Sequence, residues 1–144
     1  MKVVINACHG GFSLSHEALI RGIEKGANFI ETVEAKDWYI TDKDPMAAYL
    51  KTVADCIEVR DGFLAPVVGS LLYKQGKIYH VIDYYDIMFR SHPILLEIIH
   101  ELGIVDAAGD YAQLKIVEVP DGVDLQIDEY DGKEWVAEKH RTWG

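Results

Sequence analysis

Two Asp-Gly pairs near the end of the chain divide a run of alternating residues into three segments. Asp121-Gly122 separates LKIVEVP from VDLQIDEY, and Asp131-Gly132 separates VDLQIDEY from KEWVAEKH. In the middle segment, apolar residues alternate with polar ones, as in a strand with one buried face. Asp-Gly is also a preferred sequence for a two-residue turn between antiparallel strands. The pattern therefore predicts three consecutive strands joined by two hairpins.

A strand and a helix are predicted at the start of the chain. Residues 2–6, KVVIN, are short, apolar and rich in β-branched side chains, which suits a buried strand. A two-glycine turn follows. Ser13 or Ser15 then caps a helix with apolar residues at helical spacing, and Gly26 ends it.

Two further helices are each predicted from a proline in the first helical turn. Asp44-Pro45 begins one helix whose apolar face reaches Ile57, because a capping side chain followed by proline is a typical helix start. Residues 91–93, Ser-His-Pro, begin another helix that ends at Gly103. Both patterns indicate helices that pack an apolar face against a core.

The middle of the chain predicts more strands. Residues 28–40 suggest two short strands or one bent strand, and residues 67–73 and 78–84 suggest a hairpin with its turn at residues 74–77. The chain is therefore predicted to be α+β: a single domain over residues 1–144, with a mixed, largely antiparallel sheet and two or three packed helices. A sheet of this size leaves exposed edges that can pair between subunits, which predicts a homo-oligomer.

Composition and charge exclude several classes of protein. The chain is 49% hydrophobic and 26% charged, which is typical of a folded protein rather than a disordered one. Its net charge of −10 repels a phosphate backbone, so duplex nucleic acid is not an expected partner. No apolar run approaches the roughly 18 residues that span a bilayer, and no signal-peptide pattern follows Met1. We therefore expect a cytoplasmic protein with no membrane partner.

Cysteine and histidine patterns indicate neither a disulfide framework nor a metal centre. Cys8 and Cys56 are too few for such a framework, and both lie in apolar surroundings, so we expect reduced thiols. The six histidines form no HxH or HExxH pair, and the cysteines form no CxxC pair. We predict no metal, no cofactor and no catalytic residue.

The turn between the first strand and the first helix is a candidate binding site. Gly10 and Gly11 allow the backbone to approach a ligand closely, and the following helix offers unpaired amides with a partial positive charge. The functional interpretation is an anion cradle to which Ser13, Ser15 and His9 add hydrogen bonds. The alternative is a plain strand-to-helix turn in which the serines only cap the helix.

The tail EYDGKEWVAEKHRTWG is the second candidate region. Arg141 and His140 can present donors to a phosphate, and Trp143 can offer a stacking face to a base or sugar. The alternative is that Arg141 pairs with a local acid while Trp143 packs the tail in place. If the two ends meet, they form one site. The predicted ligand-binding residues are His9, Gly10, Gly11, Phe12, Ser13, Ser15, His140, Arg141 and Trp143.

Both ends of the chain resemble a family of predicted proteins from bacteriophages and prophages. Its members begin with a strand and loop similar to KVVINxCxGGFxLS, which residues 2–15 match. They continue with a segment similar to RDDPxLxxVVEELG, which corresponds to residues 90–103, RSHPILLEIIHELG. This chain departs from the family at Ser91 and His92, where the family has two acids. They end with a segment similar to LKIVEIPDDVEWEIEEYDGxEWVAEKHRTW, which residues 114–143 match.

The resemblance implies a small phage-encoded protein in the cytoplasm of a bacterial host, and it carries no established activity. In that context we expect a binding protein for a small anionic ligand, nucleotide-like or phosphorylated, that sequesters a host defence signal. A structural or protein-interaction phage protein without a small-molecule site is the alternative. A small enzyme that acts on a phosphorylated substrate is a third class.

Overall fold

The computed structural model describes residues 1–38, 50, 53–66 and 71–139. The strands are β1 (Lys2–Asn6), β2 (Ile30–Glu34), β3 (Cys56–Arg60), β4 (Phe63–Pro66), β5 (Leu71–Lys74), β6 (Lys77–Val81), β7 (Leu114–Glu118), β8 (Leu125–Tyr130) and β9 (Lys133–Glu138). The helices are α1 (His16–Glu24), α2 (Ala35–Trp38), α3 (Ile87–Arg90) and α4 (Pro93–Leu102). Every strand pairing among these elements is antiparallel. The predicted α+β class, with largely antiparallel sheet and packed helices, is confirmed.

The chain divides into two compact units. The first unit contains Met1–Ser13 and Asp83–Gly144, and the second unit contains Leu14–Ile82. The strands are distributed over three sheets, β1-β7 and β8-β9 in the first unit and β2-β6-β5-β4-β3 in the second. That the chain forms a single domain stays a prediction.

The second unit is a five-stranded sheet covered by short helices. Ser15 caps α1 as predicted, because its side chain accepts a hydrogen bond from the Ala18 amide at 3.1 Å. Helix α1 contacts β2 and β5, and α2 contacts β2 and β6. Ala35, Tyr73 and Ile78 are buried together between these elements. The predicted turn at residues 74–77 is confirmed, since β5 and β6 pair directly across it.

Two predictions in the second unit are wrong. Trp38, assigned to a strand, lies in α2, and Ile57, assigned to a helix face, lies in β3 with 51% of its surface exposed. The reason is a third Asp-Gly turn at Asp61-Gly62, which folds β3 and β4 into a hairpin and draws the preceding residues into a strand. The helix start at Asp44-Pro45 and residues 67–70 of the predicted hairpin lie outside the described residues.

The first unit joins the start of the chain to the stretch that begins at Asp83. Strand β1 pairs with β7, and Met1 and Val119 exchange two hydrogen bonds of 2.9 Å at the end of the ladder. The hairpin predicted at Asp131-Gly132 is confirmed by the pairing of β8 with β9. The hairpin predicted at residues 121–122 is wrong, because β7 pairs with β1, whose residues Val3, Val4 and Ile5 are buried, rather than with β8.

The helix predicted after residue 91 is confirmed as α4. His92 caps it by accepting a hydrogen bond from the Ile94 amide at 3.1 Å, Pro93 lies in its first turn, and Gly103 ends it. Its buried side chains are Leu95, Ile98 and Ile99. Among the described residues, no helix is both long and apolar enough to cross a membrane.

Candidate functional site

Asn6 connects the loop that follows β1 to two distant segments of the first unit. Its side chain is buried at the end of β1, and its Nδ2 donates to the carbonyl oxygens of Cys8 at 2.6 Å and Gly132 at 2.7 Å. Its Oδ1 accepts a hydrogen bond from the Gln113 amide at 2.9 Å. A buried side-chain amide with its donors and acceptor satisfied fixes the segments that it bonds. The loop after β1 is therefore held against the β8–β9 turn.

The glycines of this region allow chain segments to approach one another. A Cβ atom on Gly10 would overlap the carbonyl oxygen of Tyr111, and a Cβ atom on Gly132 would lie 2.6 Å from the carbonyl oxygen of His9. Gly132 also has a φ of 86°, in the left-handed region that favours glycine. Two of the glycines near the predicted cradle are therefore required by contacts within the chain itself.

The predicted residues His9 and Ser13 have backbone or side-chain partners in the first unit. His9 is exposed, and its Nδ1 lies 3.2 Å from the carbonyl oxygen of Asp131. The carbonyl oxygen of Ser13 accepts a hydrogen bond from the Gly109 amide at 3.1 Å. Gly11 separates them, with a φ of 87°. These contacts belong to the packing of the loop against its own unit.

Phe12 lies in an aromatic cluster of the first unit. Its ring meets Tyr84 and Phe89 edge-on, with centroids 5.9 Å and 5.8 Å away. The guanidinium carbon of Arg90 lies 3.7 Å from the centre of the Phe12 ring, within the range of a cation–π interaction. Phe12 therefore packs against the interior of the unit, and this packing anchors the loop.

The remaining predicted residues are not brought together with the loop by any described contact. Ser15 belongs to the second unit, where it caps α1. His140, Arg141 and Trp143 lie outside the described residues. The part of the C-terminal region that does meet the loop is the β8–β9 turn. The convergence of the tail side chains on the glycines stays a prediction.

A buried ion pair lies directly beside this loop. Arg90 and Glu134 form two hydrogen bonds of 2.6 and 2.7 Å, and their side chains are 0% and 1% exposed. Arg90 also donates to the carbonyl oxygens of Tyr84 and Val4, at 2.7 and 3.1 Å. Glu134 accepts a further bond from the Asn6 amide at 2.7 Å. A pair that is fully desolvated in this way needs such additional bonds to offset the loss of water.

The ion pair has a consequence for anion binding. The guanidinium of Arg90 makes four hydrogen bonds within the chain, is covered by Phe12 and is 0% exposed, so it presents no accessible donor to a ligand. Glu134 places a carboxylate beside it. The arrangement joins α3, β1 and β9, and it is suited to holding these elements in place.

A second charged cluster lies on the surface of the second unit. Arg60 pairs with Glu17 at 2.8 Å, Glu24 at 2.7 Å and Asp61 at 2.6 Å. The hydrogen bonds from Arg60 lower the pKa of the Glu17 and Glu24 carboxyls, and these acids raise the pKa of the guanidinium. With three acids around one arginine, the cluster links the β3–β4 hairpin to α1 and leaves no excess positive charge for an anion.

An open cleft of about 400 Å³, lined by both apolar and polar groups, lies between the end of α4 and the start of β7. Ile104, Val105 and Ala108 line one part of it, and Gln113 and Leu114 line another. Ile104 is 49% exposed and Val105 is 81% exposed. Large apolar side chains exposed around a concave surface are typical of sites that contact another molecule.

Neither this cleft nor the ion pair was predicted from the sequence. The signal for the cleft was available in GIVDAAGDYAQ, where two β-branched residues follow the glycine that ends a helix and so stand outside any periodic element. No three histidine, cysteine or acidic side chains in the described part of the chain come together as a metal site. Comparison of the chain with known protein families, curated proteins and solved structures found no match.

Proposed function

We propose that this chain is an interaction protein that binds a partner polypeptide in the cleft formed by residues 104–114. The proposal rests on the exposure of two large apolar side chains, Ile104 and Val105, that line an open cleft. Water contact with such surface costs free energy, and a partner that covers it recovers about 25 cal/mol for each Å² removed from water.

The polar groups near the cleft support a peptide rather than an anion. Asp110 lines the cleft and Asp106 is exposed beside it, and the whole chain has a net charge of −10. Acidic groups repel phosphate and attract basic side chains. In the phage context that the resemblance implies, the partner is a phage or host protein with an apolar, basic segment.

The small-anion hypothesis stays a prediction, because three of the residues predicted to bind the anion, His140, Arg141 and Trp143, lie outside the described part of the chain. The phage origin, the cytoplasmic location, the homo-oligomer and the capture of a host defence signal also stay predictions. Native mass spectrometry of the freshly purified protein tests the anion directly. A phosphorylated or nucleotide ligand released on denaturation would support it and argue against a purely protein-binding role.

Selection from a library of random displayed peptides tests the proposed function. We expect apolar, basic peptides that bind the purified protein and lose at least tenfold in affinity when Val105→Asp places a charge in the cleft. Met88→Asp is the matched control, because Met88 is 73% exposed and does not line the cleft. Peptides that bind Val105→Asp as well as the unmodified protein would contradict the proposal.

A further inference from the structure

Among the residues that the structure describes, none pairs with the backbone groups on one edge of strand β7. The Ala7 amide donates to the Gln113 carbonyl at 2.7 Å, and Val119 bonds to Met1 at the other end of the ladder. In an antiparallel pair, residues that bond across the ladder alternate with residues whose amides point away. The odd-numbered residues of β7 therefore bond to β1, and the backbone groups of residues 114, 116 and 118 face the opposite edge.

On the outer edge of β1, by contrast, outward-facing backbone groups have hydrogen-bond partners. There, the Val4 carbonyl accepts a hydrogen bond from Arg90, and the Asn6 amide donates to Glu134. Within the described residues, β7 pairs only with β1, and the outward amides and carbonyls of Leu114, Ile116 and Glu118 have no hydrogen-bond partner. Ile116 is 37% exposed on this strand.

The free edge and the cleft meet at Leu114, which begins β7 and lines the cleft. Leu114 itself is buried, so the exposed part of the edge lies at Ile116 and Glu118. A chain laid along the edge would bond to the backbone of β7 and bring a side chain to the cleft. This combination of main-chain hydrogen bonds and a side-chain pocket is the mode by which extended peptides add a strand to a sheet.

We propose that the partner binds as an added strand on the outer edge of β7, with alternating apolar and basic side chains, one apolar side chain entering the cleft. The inference rests on the proposed function and names the conformation and chemistry of the partner. Its basic character follows from Asp110 in the cleft and from the net charge of −10, which also opposes pairing with a second copy. On β7 itself the exposed Lys115 balances the charge of Glu118.

A peptide of about six residues in which valine and lysine alternate is the probe, because β7 has 5 residues. Its control is the same peptide methylated on alternate backbone nitrogens, which removes the donors on one edge and leaves the side chains in place. Binding is measured by calorimetry and by shifts of the β7 amide signals in nuclear magnetic resonance spectra. We expect the unmodified peptide to bind at least tenfold more tightly than the methylated one that lacks the bonding edge.

Ile116→Pro tests the same bonds from the protein. It removes an outward amide without removing a bond to β1, so the fold should be retained, as a melting curve checks. Ile116→Ala is the matched variant, because it shortens the side chain and keeps the amide. We expect the proline variant to lose at least tenfold more affinity than the alanine variant. If the proline variant does not fold, the pair of peptides still decides the question.

The outcomes separate the two proposals. Loss of binding in Val105→Asp, with equal binding of both peptides and of both Ile116 variants, would overturn strand addition and leave the cleft as a binding site. Failure of every peptide to bind would overturn both. A dimer of the unmodified protein that Ile116→Pro dissolves, without peptide binding, would assign the edge to a second copy and overturn the inference.

Discussion

At the scale of single residues, the first unit is organised around polar groups that its sequence pattern would place outside. On β9, Glu134 is 4% exposed, whereas its neighbour Trp135 is 46% exposed. Hydrophobicity alone would assign the opposite orientation. The strand turns its acid inward because Arg90 and the Asn6 amide supply its hydrogen bonds there. A buried charge of this kind is retained only when its partners are retained.

Removal of Glu134 should therefore be costly. We expect Glu134→Ala to lower the free energy of unfolding by about 3–5 kcal/mol, because Arg90 is left buried and unpaired. Urea denaturation measures the change, with Glu138→Ala as a control at an exposed position of the same strand. Replacement of both partners, Arg90→Met with Glu134→Leu, should be less destabilising than Glu134→Ala alone. If the free energy of unfolding of Glu134→Ala lies within about 1 kcal/mol of that of the unmodified protein, the ion pair does not hold the unit together.

Gly132 should also be intolerant of a side chain. Gly132→Ala introduces a Cβ atom 2.6 Å from the His9 carbonyl oxygen in addition to a strained φ. Gly122→Ala is the matched control, because Gly122 has a similar φ of 75° but open space around it. The φ strain alone costs about 1 kcal/mol. We expect Gly132→Ala to lower the melting temperature clearly more than Gly122→Ala, and equal shifts would contradict the close packing of the loop.

At the scale of elements, turn chemistry was the part of the fold most readable from the sequence. Residues 74–77 and Asp131-Gly132 were correctly predicted to join paired strands. The turn at Asp61-Gly62 was overlooked, because the apolar spacing before it also fits a helix face. The hairpin predicted at Asp121-Gly122 was wrong for a different reason. A local turn sequence carries no information about the distant strand β1, which pairs with β7.

The site was less predictable than the fold, for a related reason. Gly10 and Gly11 were predicted to let the backbone approach a ligand, and this stays a prediction. The close neighbours that the structure gives this loop are Tyr111 and Gly132. Glycines indicate that another group approaches the backbone closely, but they do not show whether that group is a ligand or another segment of the chain. The ion pair joins Arg90 and Glu134, which lie 44 positions apart. The sequence around either residue does not indicate that the other is its partner.

The charged cluster around Arg60 should make the second unit sensitive to acid. The pKa of Glu17 is lowered in the folded state from its ordinary value of 4.5 by hydrogen bonds from Arg60. Its contribution to stability is therefore complete above that ordinary value and is lost as the pH falls through the lower folded value. Since the side chain is 34% exposed, the effect is below about 1 kcal/mol.

Urea denaturation at neutral pH and at about pH 3 measures this loss. We expect Glu17→Gln to lose less stability on acidification than the unmodified protein does, because its side chain cannot be protonated in that range. Glu58→Gln provides the control, since Glu58 is exposed on the same strand as Arg60. Equal acid sensitivity of Glu17→Gln and the unmodified protein would contradict a role for this pair.

At the scale of the whole molecule, the net charge of −10 should govern how fast a basic partner arrives. Salt screens charges beyond about 10 Å at 0.1 M ionic strength. We expect the association rate of the valine–lysine peptide to fall at least tenfold between low salt and about 0.5 M salt. A peptide with glutamine in place of lysine is the control and should show no such fall. A flat response of the lysine peptide would argue against electrostatic attraction.

The pairing of β1 with β7, and its contact with β9, also affect how the protein folds while it is being synthesised. Asn6 bonds to Glu134, which lies 128 positions later, whereas the second unit is one continuous stretch of sequence. At about 5–20 residues per second, synthesis of the missing partner takes on the order of 10 s. During that interval a nascent chain carries Val3, Val4 and Ile5 with nothing to cover them. The ribosome therefore releases a protein whose first strand is among the last to find its place, and chaperones have time to bind it first.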